Sequence, residues 1–107
     1  MSLPAPAKVR IHASGAIMPT GSEAVLRCEV SGDQPLTVHW RRFDQLVDQM
    51  DRFQLTMTPS SNSPSHSQFL DLNISRVEAE DGGLYVCQAA NVYGSDAADI
   101  RLIVQGI

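Results

Sequence analysis

The sequence predicts an all-β fold, an antiparallel sandwich or barrel, on three observations. Apolar residues recur at every second position in short runs. Clusters of Gly, Pro, Asn and Asp punctuate those runs. No stretch carries a long amphipathic-helix pattern, so stacked or closed sheets must cover the apolar faces of about eight strands.

The elements follow in order. Val9 and Ile11 alternate with Arg10 and His12 in a first edge strand. Gly15 breaks it, and Ala16-Ile17-Met18 resumes before a turn at Pro19-Thr20-Gly21. From Ala24 to Val30, Ala24, Leu26, Cys28 and Val30 share one face, with Val25, Arg27 and Glu29 on the other. After the turn residues Ser31 to Pro35, Leu36, Val38 and Trp40 alternate with Thr37, His39 and Arg41. The charge-rich stretch from Phe43 to Arg52 has no clean period and predicts a short edge strand with loops. Phe53, Leu55 and Met57 make the next strand, and the Ser- and Pro-rich run from Thr58 to Ser67 a long hairpin loop. Leu70, Leu72 and Ile74 then alternate with Phe69, Asp71 and Asn73. Val77 to Gly82 is one helical turn ending at glycine. The last strands, Leu84 to Ala90 and Ala97 to Val104, flank a turn at Asn91 to Ser95.

At 107 residues the chain fits one domain, expected over 8–104, with 1–7 and 105–107 as linker segments. A formal net charge of −4, with 8 Lys and Arg spread thinly, argues against nucleic acid and against direct contact with an anionic membrane. No apolar run is long enough to span a bilayer, and Met1 to Pro6 lacks the apolar core of a secretory leader. An extracellular assignment therefore expects the targeting and anchoring segments outside this chain.

Cys28 and Cys87 stand far apart, and neither has the close partner that a zinc site needs. Their separation leaves a disulfide or two buried thiols. Both sit mid-strand on inward faces, and Trp40 follows Cys28 by 12 residues on the next strand. A disulfide joining the two sheets of a sandwich, with tryptophan packed on it, fits that spacing. Tyr85 shares the inward face of Cys87, so its ring can fill the core while its hydroxyl caps the preceding corner, formed by Asp81 and Gly83.

These residues resemble the immunoglobulin superfamily. The matching positions are Gly21, Leu26, Cys28, Trp40, Leu72, Ile74, Val77, Asp81-x-Gly83-x-Tyr85-x-Cys87 and Ala89-x-Asn91-x-x-Gly94, and they cover the chain from about Val9 to Val104. The short middle and the later elements are similar to the intermediate, or I-set, type. The resemblance implies a two-sheet antiparallel Greek-key sandwich, a Cys28–Cys87 disulfide, and an ion pair between Arg52 and the corner residue Asp81. A narrower similarity, in VSGDQPLTVHW, QAANVYGSD and the closing LIVQ, is to the last immunoglobulin domain before the fibronectin block of the Dscam (Down syndrome cell adhesion molecule) family. It implies the extracellular part of a single-pass plasma-membrane protein of neuronal recognition. The expected partner is protein, including the same protein on an opposing cell. The Ser- and Pro-rich loop departs from the pattern. An intracellular muscle-type domain with reduced thiols, or an accessory ectodomain of another receptor, remains the alternative.

Chemistry-bearing residues are sparse. His12, His39 and His66 fall on different strands or loops, and Glu78, Glu80 and Asp81 gather where the start of a helical turn favours carboxylates without any calcium. No nucleophile has a histidine and a carboxylate arranged beside it, no glycine loop cradles phosphate, and neither enzyme activity nor a cofactor is expected. Asn73-Ile74-Ser75 is an N-glycosylation sequon, with Asn73 facing outward. On the sheet holding Trp40 and Cys87 the outward residues are Thr37, His39, Arg41, Leu84, Val86, Gln88, Arg101 and Ile103. Apolar Leu84, Val86 and Ile103 among polar neighbours make that side the candidate contact face, although scattered exposed apolar residues are common.

Overall fold

Strict alternation decides which side each strand buries. In β3 (Ala24–Ser31), Ala24, Leu26, Cys28 and Val30 are buried, while Val25 and Arg27 face out. The computed structural model describes residues 3–12, 15–42, 45–47, 53–59 and 67–106. Its other strands are β1 (Lys8–Arg10), β2 (Gly15–Pro19), β4 (Thr37–Arg42), β5 (Gln45–Leu46), β6 (Phe53–Pro59), β7 (Gln68–Ile74), β8 (Gly83–Asn91) and β9 (Gly94–Gln105). They form a 4-stranded sheet in the order β1-β3-β7-β6 and a 5-stranded sheet in the order β2-β9-β8-β4-β5.

The chain crosses between sheets from β3 to β4, returns from β5 to β6, and crosses again from β7 to β8, the Greek-key path the resemblance implied. The inner faces meet in a core of Leu26, Val30, Trp40, Leu72, Ile74, Tyr85 and Leu102. Through it runs the Cys28–Cys87 disulfide, with no free cysteine remaining. Trp40 stands opposite Cys87 in register, and its indole N–H donates to the carbonyl of Leu70, the residue paired with Cys28, at 3.1 Å. The indole therefore ties the sheets together beside the disulfide.

Three features differ from the expectations. The first strand divides between sheets. β1 pairs antiparallel with β3, whereas β2 pairs parallel with β9, the sheet's one parallel ladder among the described residues. β6 continues through Thr58 and Pro59, which pair with Phe69 and Gln68, so part of the expected loop is strand. Proline is tolerated there because β6 is an edge strand. β9 begins at Gly94 rather than Ala97, since the hairpin needs only Val92 and Tyr93 to reverse the chain. The remaining loop residues 60–66, including His66, lie outside the described residues, as does Arg52 of the expected Arg52–Asp81 pair.

Candidate contact face

β8 carries the candidate face, and its entry corner fixes where it lies. A 3-10 turn, Ala79–Asp81, precedes it. Buried Asp81 accepts a hydrogen bond from the Glu78 backbone N–H at 2.7 Å through its carboxylate. Gly83 follows with φ +142°, a conformation that side-chain-bearing residues rarely adopt. The Tyr85 hydroxyl donates back to the Asp81 carbonyl at 2.5 Å, the corner read from the sequence. The Tyr85 ring meets Phe53 edge-on at 6.2 Å.

The sequence reading missed Arg42. Two positions past Trp40, it shares the inward register at the end of β4. Its guanidinium lies 5.5 Å over the Tyr85 ring and donates to the carbonyls of Glu80 and, at 3.0 Å, Gly82. The end of β4 is thereby tied to the backbone of the corner.

With the corner set, the residues expected outward on this sheet all point outward. Leu84 pairs with Arg101, Val86 with Asp99 and Arg41, and Gln88 with Ala97 and His39. Leu84 is 40% exposed and Ile103 44%. Val86 and Arg41, paired across adjacent strands, are both half-buried. The sequence reading also missed Ile17. On parallel strand β2 it stands beside Ile103 and is 59% exposed, which widens the apolar stripe to three adjacent strands. Charged Arg101 and Asp99 and polar Gln88 border it. In the described part of the middle segment, 45–47, Gln45 and Leu46 extend the sheet sideways beside Arg42 and Arg41, and Val47 is buried.

The opposite end of β8 is built around Asn91. Its side-chain oxygen accepts from the backbone N–H groups of Tyr93 and Gly94, at 3.0 and 3.1 Å, and closes the hairpin. Its amide donates to the carbonyls of Ala5 and Asp33, at 2.9 and 3.1 Å. The Asp33 carboxylate and the Asp96 carboxylate in turn accept from the N–H groups of Ala5 and Val9, at 3.1 and 2.8 Å. The segment 5–9, with Ala7 buried, is thus fastened to the domain by side chains.

The 4-stranded sheet presents a different surface. Asp71, expected outward, does face outward but is buried beneath Arg27, whose Nε and Nη2 donate to its two carboxylate oxygens at 2.8 Å each. That paired hydrogen bonding, reinforced by the opposite charge, holds Arg27 above its ordinary pKa. The guanidinium also stacks 4.7 Å above the Phe69 ring. Asn73 sits on this outer face, half-buried, its amide donating to the Gln54 carbonyl at 3.3 Å.

His12 hydrogen-bonds Glu29 at 2.8 Å on the 4-stranded sheet, while exposed His39 lies on the other. Among the described residues no three metal-ligating side chains converge.

The sequence matches the family model of the Immunoglobulin I-set domain over residues 7–104. It is 33% identical over 87 residues, 81% of its length, to the cell adhesion molecule Dscam1 of Drosophila melanogaster. It is 30% identical over 84 residues, 78% of its length, to human Palladin. The chain spans only 4% of the former and 6% of the latter. In fold it is similar to a chain in the crystal structure of Dpr2 Ig1-Ig2 in complex with DIP-Theta Ig1-Ig3, with TM-score 0.84, 20% identity, and coverage of 95% of this chain and 33% of that one. Titin domains z1z2, crystallised with telethonin, give TM-score 0.80 at 23% identity, covering 98% of this chain and 49% of theirs.

Proposed function

The chain belongs to the immunoglobulin I-set family, and we propose that it is an extracellular binding module of a cell-surface adhesion or recognition receptor of the Dscam kind. It binds protein through the outer face of the 5-stranded sheet and catalyses nothing. The carrying observation is the apolar stripe of Ile17, Ile103 and Leu84 on adjacent strands, bordered by Arg101, Asp99 and Gln88. An apolar centre with a polar rim is the anatomy of a protein interface.

The compartment is supported by the disulfide, a bond that persists in oxidising surroundings, and by the similarity to Dscam1. The parent molecule is read as a single-pass plasma-membrane protein, and the partner as the same protein on an opposing cell. With the face unoccupied, the domain acts as a spacer within the ectodomain.

The similarity to Palladin favours a second reading, a structural domain of an intracellular muscle protein. Alkylation of the protein taken directly from its cells, followed by mass measurement with and without reductant, separates the two. The extracellular reading expects Cys28 and Cys87 to be unreactive until reduced. Free thiols would favour the intracellular one. The contact is tested by sedimentation equilibrium across concentration. Association is expected for the natural chain and its loss in Val86→Asp; a monomer at every concentration, unaltered by that change, would sink self-association through this face.

A further inference from the structure

We propose that the free edge of β6 pairs with the same strand of a second copy, antiparallel and centred on Thr56, so that the 4-stranded sheets of two chains run together side by side. The inference goes beyond the contact face and does not rest on it. β6 stands at one side of its sheet, in register with β7 from Phe53 to Pro59 and, on its other side, with no described strand. Every second residue of such a strand turns its N–H and C=O away from the neighbour it has, toward the open side.

Sheet edges are ordinarily blunted by shortness, charge or proline, and the other edges of the described sheets are. β5 is two residues long, and β1 is three and carries Lys8 and Arg10. β2 is bounded by Gly15 and Pro19. β6 runs for seven residues without a charge, and its proline comes last.

The order of residues in β6 selects its own copy as the partner. Gln54, Thr56 and Thr58 share the outer face with Asn73, Asp71 and Phe69 of β7, whereas Phe53, Leu55 and Met57 stand beside the buried Ile74, Leu72 and Leu70. A two-fold axis through Thr56 keeps the outer face outward in both copies, and it is the register that uses all seven residues. Thr56 then meets the partner's Thr56, Gln54 the partner's Thr58, and Leu55 the partner's Met57. Hydroxyl and aliphatic pairs of this kind are favourable across strands. Met57, 47% exposed in the single chain, gains an apolar neighbour. Pro59 falls on the last rung, opposite the partner's Phe53. No like charges meet. The same symmetric pairing of β1 about Val9 would set Lys8 against the partner's Arg10, which repulsion opposes. Seven rungs make a small contact, weak between free chains and strengthened where parent molecules are held side by side.

Cysteine trapping tests this on the whole chain, in the Val86→Asp background so that the outer face of the 5-stranded sheet takes no part. Cys28 and Cys87 are joined, so one added cysteine is the reactive thiol. Directly opposed residues have Cα atoms about 4.5–5.5 Å apart, within reach of a disulfide. Circular dichroism first shows that each variant keeps the fold. In air with a copper catalyst, Thr56→Cys is expected to cross-link to itself at least about tenfold faster than Gln54→Cys, whose two copies stand about 14 Å apart along the ladder. Gln54→Cys mixed with Thr58→Cys is expected to trap as a mixed dimer at the rate of Thr56→Cys. Adding Thr56→Lys to both of those chains sets like charges opposite each other and is expected to abolish the trapping. Equal rates for Thr56→Cys and Gln54→Cys, or mixed trapping that survives Thr56→Lys, would overturn the pairing. Either result leaves the contact-face reading standing, because Val86→Asp has already disabled that face.

Discussion

Replacing Tyr85 with phenylalanine isolates one hydrogen bond in the corner that leads into β8 and the candidate contact face. The substitution removes only the hydroxyl, which donates to the Asp81 carbonyl at 2.5 Å in a fully buried site. The edge-on contact with Phe53 and the stacking under Arg42 both survive, because phenylalanine keeps the ring. What is lost is a buried hydrogen bond, with a backbone carbonyl left short of a donor, at a cost of about 1.5 kcal/mol. In a domain of this length each kcal/mol lowers Tm by about 4 °C, so the expected fall is about 6 °C. Scanning calorimetry reads it, and unchanged near-ultraviolet circular dichroism shows that packing is retained. A shift under about 1 °C would refute the corner argument, because the hydroxyl would then be contributing nothing beyond water.

Other consequences can be measured alongside it. Reducing Cys28–Cys87 reopens a loop closed across a sequence separation of 59, and the lost constraint on the unfolded chain lowers stability by about 4 kcal/mol, readable as a shift in the denaturant midpoint under reductant. Gly32→Ala places a Cβ 3.0 Å from the Ala7 backbone at a φ of +142°, and should cost about 2 kcal/mol in the same assay. Asn91→Ala removes the acceptor for the Tyr93 and Gly94 N–H groups and the tether to Ala5, so amide exchange should accelerate at residues 5–9 and stability fall by about 2 kcal/mol.

Strands buried on one face were legible because a period of two leaves a single way to hide Leu26, Cys28 and Val30, or Tyr85, Cys87 and Ala89. The outward set on β4, β8 and β9 followed from the same parity. Arg42 was legible in principle, as a charged residue at a position that alternation sends inward, but its partners are backbone carbonyls at a corner contributed by a distant segment. Ile17 escaped because Gly15 marks a break without saying that the resumed strand joins the other sheet, in parallel with β9. The Asn91 hub escaped for a related reason. An Asn-x-x-Gly pattern announces a turn, whereas the bonds to Ala5 and Asp33 depend on which ends of the sandwich meet. Asp71 shows the limit of parity: facing outward did not mean exposed, since Arg27 folds over it.

Under the proposed function, protein contact runs through the outer face of the 5-stranded sheet. Amide correlation spectra of the labelled chain, recorded from dilute to concentrated solution, test it residue by residue. Concentration-dependent shifts are expected at Ile17, Leu84, Val86, Gln88 and Ile103, abolished by Ile103→Asp. Shifts confined to the other sheet, around Val25 and Thr56, or none at any concentration, would contradict it.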